Sequence, residues 1–546
     1  MAWIIPQIGR LAVSRRYRNR YREITSALLR HGFGFLVTQL GLTRFVPFQL
    51  GLLGHPRRVE PYTQAEHVRM VFEELGTTFI KLGQVLSTRV DLLPPEYIHE
   101  LEKLLDSVPP VDFEPIRLQI EMELGRDVDQ IFERIDATPL ASASIGQVHA
   151  ATLMTGEQVV IKVKRPGVEE QVNIDVAIIH ELANLASRRL PVVKNYDVEG
   201  IAREFTQTLL NELDYLQEGR NADRFRRNFE ADEHVYIPRI SWDYTTSSVI
   251  VMERISGLRI NDRDALIRAG FEPSIIATRS TDLLMEQIFI HGFFHADPHP
   301  ANFFVMEGGV IGLVDFGMVG YVDQDTKGNL VDLFIAIFDQ DPDGIIDAYI
   351  DLGVAGRVER YAELRSEISS IIVKYFGLSL REINVRSVLN DVTSLIRRHN
   401  LRMPANLALL VKTISMEEGL VMHLDPNFKF AEAMTPFARR VWEETRSPFA
   451  LAKKSARALL DYADIGVNAP RQLRRILGQL SRGELSVVTN QPRLDEELIR
   501  VNSMVNRLIF GILTAATLVS VSLVLPFFSA LFGRRRKRAP GEKPGG

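Results

Sequence analysis

The 546-residue chain is 46% apolar and 25% charged, which allows a sizeable core and roughly two to four domain-sized units. A net charge of −4 removes a global basic field, and with it the electrostatic case for nucleic acid as a partner. With no cysteine in the chain, disulfides, thiolate metal sites and cysteine nucleophiles are excluded together.

The charge is unevenly spread. Arg10 to Arg30 holds seven arginines and one acid, Glu23, and the tail carries Arg534, Arg535, Arg536, Lys537 and Arg538. Basic ends on a mildly acidic body fit contact with anionic membrane lipids, so residues 1–60 read as a basic, membrane-interfacial region. The apolar start is too short, and placed before rather than after the arginines, for a secretory signal peptide. From Gln64 to Leu93 apolar residues recur every three or four positions (Val68, Val71, Phe72, Leu75, Phe79, Leu82, Leu86 and Val90). This predicts one helix, or two broken near Gly76, stopped by Pro94-Pro95. A further helix over 115–124 ends at Gly125 and completes a helical extension over 61–130.

Residues 131–253 read as a small β-containing lobe. Strand–turn–strand is predicted over 139–151, a buried strand over 159–163, and a second strand pair at Val235 to Trp242 and Ser248 to Glu253. Helical segments are predicted over 168–190 and 197–228. After a hinge at Met252 and Glu253, a larger lobe over 254–440 holds a helix at 273–291, the loop His295–Asn302 and two short strands around Gly308-Gly309. Helices follow Phe316 almost without interruption, so 441–507 is read as a helical extension. Leu508 to Gly533 carries no charge; 26 residues make roughly 39 Å of helix, enough to cross a hydrocarbon core of about 30 Å. The segment 508–533 is therefore expected to span a membrane, with Pro526 as a tolerated kink and 534–546 as a basic tail. The expected fold class is α+β: a bilobal, protein-kinase-like fold with N-terminal and C-terminal helical extensions and a C-terminal transmembrane segment.

The chemistry lies in a constellation. Asp297 and Asn302 stand five apart in His295-Ala296-Asp297-Pro298-His299-Pro300-Ala301-Asn302, as in the kinase catalytic loop. Thirteen residues after Asn302 comes Asp315-Phe316-Gly317, directly after an apolar strand, and upstream Lys162 sits in a strand reading V-V-I-K. Phosphoryl transfer needs such residues because its catalysis is positioning plus cation clamping of phosphate oxygens. Lys162 would bridge the α- and β-phosphates of ATP, Asn302 and Asp315 would hold Mg2+, and Asp297 would orient or deprotonate the attacking hydroxyl or water. The phosphate loop departs from the glycine-rich pattern: Ala141, Ser142, Ala143, Ser144 and Gly146 stand where backbone N–H groups would approach phosphate. That segment alone also reads as a small-residue hairpin. His295 and His299 flank Asp297 on a loop broken by two prolines, with no third ligand in view, so His295 is expected to fix the loop rather than bind zinc.

Ala141 to His149, Phe79-Ile80-Lys81-Leu82-Gly83-Gln84, Glu212-Leu213-Asp214-Tyr215, His295 to Asn302, and Lys412 to Gly419 with Leu424-Asp425-Pro426 resemble the UbiB/AarF atypical kinases over about residues 60 to 440. The resemblance implies an alanine-rich loop in place of the glycine-rich one. It makes Lys81 and Gln84 a K-x-G-Q motif on a helix that folds over the active site and restricts protein substrates. Glu212 and Asp214 become an E-x-D pair, and Glu218 the ion-pair partner of Lys162. Ser142 departs from the alanine of many members, and Glu218 lies 56 residues after Lys162, so inserted helix must sit between them. The implied function is a membrane-associated kinase or ATPase supporting isoprenoid-quinone biosynthesis or lipid homeostasis, with quinone-biosynthesis enzymes or lipid-like small molecules as partners. The kinase region is expected on the cytoplasmic side of a bacterial inner membrane, where ATP is. The basic tail argues for the same side, which one span does not satisfy. A homodimer through the span is a further expectation, although no small-xxx-small pattern stands out. Two rivals stay open: a small-molecule phosphotransferase of the aminoglycoside/choline type, whose catalytic loop is similar, and a nucleotide-binding pseudokinase scaffold.

Overall fold

The computed structural model describes residues 15–42, 62–89, 92–104, 108–190, 197–354, 360–375, 385–399 and most of 401–440. The predicted extension 441–507, transmembrane segment 508–533 and tail 534–546 lie outside the described residues. Among the described residues, no helix is long and apolar enough to cross a membrane.

Helices α1 (Arg15–Arg30) and α2 (Gly34–Gln39) open the described chain. Tyr17, Tyr21, Ile24 and Ala27 lie on one face of α1 and are buried. Helix α3 (Gln64–Leu75) starts in a capping box, with Thr63 accepting from the Glu66 N–H and Glu66 accepting from that of Thr63. It stops at Gly76, whose φ of 82° a side chain would resist, and α4 (Thr77–Thr88) leaves in a new direction. The predicted run of 64–93 is thus two helices. Helices α5 (Pro95–Leu101) and α6 (Phe113–Leu124) follow.

The small lobe is built on a sheet of β1 (Phe132–Ile135), β2 (Ala141–Ser142), β3 (Gly146–Leu153), β4 (Gln158–Lys164) and β6 (Val249–Glu253). The order is β1-β3-β4-β6, with β2 also on β3, and every pairing is antiparallel. Val159, Ile161 and Val163 of β4 alternate into a core with Ile116 and Ile120 of α6. Period-two alternation therefore turns Lys162 and Lys164 to the opposite face.

Between β4 and the helix carrying Glu218 the chain inserts α7 (Val168–Arg189) and α8 (Val198–Glu212). Ile178, Phe205 and Leu209 of this hairpin share one core with Tyr17 and Tyr21 of α1 and Phe79 of α4. Each such side chain contributes about 1.5–3 kcal/mol on burial. Arg20 seals the junction, donating to Asp175 (2.6 Å) and to the Leu75 carbonyl (2.6 Å). The insert and the N-terminal extension thus form one helical layer. The helix predicted over 197–228 is broken, because Asp214 turns to accept from the Leu216 N–H (3.1 Å) and caps α9 (Tyr215–Asn228).

The predicted strand Val235 to Trp242 is corrected by the structure. Only β5 (Val235–Tyr236) forms; it runs parallel to β10 (Ile311–Leu313) in a second sheet ordered β5-β10-β9-β7, with β7 (Leu258–Arg259) and β9 (Phe303–Val305). Pro238, which has no N–H for a ladder, ends the strand, and Ile240 retains a single bridge to Met252. The larger lobe adds α10 (Arg263–Arg268) and α11 (Pro273–Met285), whose last turn widens over Glu286–His291. A ribbon of β8 (Phe293–His295) and β11 (Val319–Tyr321) then leads to α12 (Gln324–Phe338), α13 (Pro342–Asp351), α14 (Tyr361–Tyr375), α15 (Val385–Arg398) and α16 (Ala405–Leu424). Phe225, Phe293, Phe294, Phe316, Leu283 and Val421 lie in its core.

Glu417 of α16 is buried in this lobe, and its Oε1 has no hydrogen-bond partner among the described residues. Burial pushes its carboxyl from an ordinary 4.5 up to about 7. The folded state therefore holds a proton that the unfolded chain releases. Stability falls as pH rises from about 4.5 to about 7, by a total on the order of 3 kcal/mol, and is flat above that window. Glu417→Gln is accordingly expected to raise the melting temperature more at pH 8 than at pH 5, as read by scanning calorimetry. An equal change at both values contradicts this.

Candidate active site

Strand β4 presents Lys162 to the cleft between the lobes. Its Nζ donates to both carboxylate oxygens of Glu218, at 2.7 and 2.9 Å, and lies 3.3 Å from Asp315 Oδ2. The ammonium stands 5.3 Å from the centre of the Tyr215 ring, a cation–π contact that the sequence reading did not single out. Burial alone lowers an ammonium pKa, but the charges of Asp315 and Glu218 outweigh it and hold Lys162 well above its ordinary value. Burial pushes the Glu218 carboxyl up, against the pull of Lys162. For Asp315 burial also acts upward. Its side chain is 48% exposed, however, so the Lys162 charge and the Gly317 N–H prevail and lower the carboxyl from an ordinary 3.8 to about 2.

Asp315 adopts φ 61°, a left-handed conformation that costs a non-glycine residue about 1 kcal/mol or more. His295 holds it there: Nε2 donates to the Asp315 carbonyl (2.6 Å), while Nδ1 accepts from the Asp297 N–H (3.3 Å). One imidazole thus ties the loop of Asp297 to the turn of Asp315 and fixes its own tautomer. Asn302 Nδ2 donates to Asp297 Oδ2 and to its carbonyl, both at 3.2 Å. That leaves the Asn302 side-chain oxygen which, like the Asp315 carboxylate, is a hard oxygen donor of the kind Mg2+ takes, and the lowered Asp315 pKa keeps that carboxylate ionised. The residues present fit the ion. His299 is exposed and accepts from the Ala301 N–H (3.2 Å), capping the turn before Asn302.

The alanine-rich segment is a tight hairpin, with the Ala143 N–H on the Gly146 carbonyl at 2.8 Å. A Cβ on Gly146 would collide with the Tyr215 hydroxyl and meet the Val163 carbonyl at 2.7 Å, so close packing demands glycine here. Arg165, three residues after Lys162, pins the segment. It donates to the Ala143 carbonyl (3.0 Å), Ser142 Oγ (2.7 Å) and the carbonyls of Val108 (3.3 Å) and Pro109 (2.8 Å). Ser142, the departure from alanine, is thereby a hydrogen-bond acceptor. Thr77, at the start of α4, donates to the Ser144 carbonyl at 3.0 Å, and Ala141 lies exposed at the hairpin's edge.

The remaining expected residues divide. Lys81 reaches Glu212 (3.2 Å), and its charge is felt at Asp315, so α4 does face the cleft. Gln84 instead donates to the Leu104 carbonyl (3.1 Å), and Asp214 is spent on capping α9 and on Arg220 (3.4 Å). Met252 is buried beside Tyr215, while Glu253 accepts from the Tyr236 hydroxyl (2.6 Å) and the Arg239 N–H (3.3 Å).

A β-strand lysine paired with a helix glutamate, facing an Asp-Phe-Gly turn and an Asp–Asn loop across a cleft, defines a kinase-like fold. The ABC1 atypical kinase-like domain matches residues 103–349, and the UbiB helical domain matches 368–429. A Tolumonas auensis protein named "Probable protein kinase UbiB" is 36% identical over 77% of this chain and 78% of its own length. The protein of that name from Azotobacter vinelandii is 33% identical over 88% and 90%. An uncharacterized Synechocystis protein is 34% identical over 90% and 89%. The chain belongs to the ABC1/UbiB family of atypical kinase-like proteins.

Arg165 ties two segments, 108–109 and 142–143, with one guanidinium, so its loss should be read locally. Arg165→Met is expected to speed amide hydrogen exchange at 108–111 and 142–146 by about tenfold or more, with α16 unchanged. Unaltered exchange in the hairpin would show that its packing alone suffices.

Proposed function

We propose that this protein is a Mg2+-dependent, ATP-using enzyme, a phosphotransferase or ATPase, that works at a membrane in support of isoprenoid-quinone biosynthesis or lipid homeostasis. The observation that carries this reading is Lys162 held between Glu218 and Asp315 across the cleft from the Asp297–Asn302 pair. Glu218 aims the Lys162 ammonium, which is placed to bridge the α- and β-phosphates of ATP. Asp297, steadied by Asn302, is the group to orient the attacking hydroxyl or water. Asp315 and Asn302 would hold Mg2+, which would supply the positive charge to offset that developing on the phosphate oxygens. The hinge backbone at Met252 and Glu253 is the edge for the base, and residues 141–146 cover the phosphates.

Lys81 faces the cleft from α4, the helix that by family resemblance restricts protein substrates, which favours a small or membrane-bound acceptor. Relatives named as probable kinases support the enzymatic reading. The apolar segment 508–533 and the basic clusters at both ends support attachment to anionic membrane, and the need for ATP favours the cytoplasmic side for the kinase region.

Purified full-length protein is expected to hydrolyse ATP in a Mg2+-dependent manner, faster with anionic than with neutral liposomes. Asp315→Asn should lower the rate roughly 100-fold or more. Nucleotide binding without turnover in any lipid would contradict the enzyme and favour the scaffold.

A further inference from the structure

Helix α9 does more than carry Glu218. Asn221 and Phe225 follow at spacings of three and four, so the three share one face, and all are buried. Asn221 Nδ2 donates to the Phe316 carbonyl at 2.9 Å, while its Oδ1 accepts from Gln217 Nε2 at 3.1 Å, which fixes the orientation of the amide. The peptide unit grasped in this way has its N–H on Gly317, and that N–H donates to Asp315 Oδ1 at 3.2 Å. One peptide plane therefore joins Asn221 on its carbonyl side to the Asp315 carboxylate on its amide side.

Two neighbours restrain the same helix. The Phe225 ring lies 5.4 Å from that of Phe316 and 4.6 Å from that of Phe293. The Arg224 guanidinium sits 4.0 Å over the Phe293 ring and 5.3 Å over that of Tyr321, and so grips both strands of the β8–β11 ribbon. In protein kinases the helix glutamate and the Asp-Phe-Gly aspartate must both be in place, and their positions are controlled. Here, swinging α9 out to part Glu218 from Lys162 would strip a buried carbonyl of its donor and free the peptide that steadies Asp315.

We propose that Asn221, backed by Phe225 and Arg224, is a positioning residue that clamps α9 to the Asp315-Phe316-Gly317 turn. The Lys162–Glu218 pair and the Asp315 carboxylate then form one preassembled unit. The inference rests on the reading of this cleft as a Mg-nucleotide site.

The test titrates the full-length protein with a fluorescent ADP analogue, in EDTA and across a range of Mg2+ concentrations. Asn221→Leu, close in volume and unable to donate, is expected to raise the Mg2+ concentration for half-maximal enhancement of binding by about tenfold. Affinity in EDTA should stay within about twofold, which a general loss of structure would not allow. An unchanged Mg2+ dependence overturns the clamp, and so does an equal loss with and without metal. Should Asn221→Leu fail to fold, Arg224→Met, which keeps the stem and removes the cation, carries the same readout and the same expected direction. Wild-type protein that binds no nucleotide in either condition would remove the Mg-nucleotide reading itself, an outcome distinct from a clamp failure, in which the wild type binds normally.

Discussion

A lysine ammonium in a half-buried cleft must be met by anions, and Lys162 is met by two. Contacts of about 3–4 Å between opposite charges carry roughly 4 kcal/mol of attraction at the effective dielectric of a protein site. That attraction decides the arrangement of three elements at once. Strand β4 must present Lys162 to the cleft, α9 must lie close enough for Glu218 to reach it, and the turn after β10 must hold Asp315 in a left-handed conformation. Removing Glu218 would leave Lys162 to Asp315 alone, and removing both anions would leave an uncompensated charge in the cleft, the situation in which breaking a buried pair is costly.

The helical additions serve this constraint. The insert of α7 and α8 lengthens the path from Lys162 to Glu218, yet it packs with α1, α3 and α4 in a core of its own. That core delivers two cleft-facing groups distant in sequence, Lys81 on α4 and Glu212 at the end of α8, into an ion pair of 3.2 Å. The layer also braces the phosphate-side hairpin, through Thr77 on Ser144 and through Arg165 on residues 108–109. Stiffness that glycines would forgo is thereby imposed on a loop with few glycines.

Much of this was legible in the sequence, for identifiable reasons. The Asp297–Asn302 spacing, the Asp-Phe-Gly turn and the strand lysine are local patterns, and the helix break at Gly76 follows from a single residue. The proximity of Glu218 to Lys162 spans 56 positions and has no local signature; family resemblance supplied it. Tyr215, Arg165 and Asn221 were missed because their contacts are tertiary, although a basic residue shortly after the strand lysine was a usable hint. Gln84 and Asp214 shared motifs with Lys81 and Glu212, but the structure spends them on Leu104 and on a helix cap. The strand Val235 to Trp242 failed at Pro238, where the missing N–H outweighed the apolar alternation.

The most direct measurement is a structure of the full-length protein with a non-hydrolysable ATP analogue and Mn2+, the metal located by its anomalous scattering. The expected result places Mn2+ about 2.1–2.2 Å from oxygens of Asp315 and Asn302, with Lys162 still paired to Glu218 and within hydrogen-bond reach of the α- or β-phosphate. Metal bound away from these two residues, or phosphates lying beyond the reach of Lys162, would contradict it.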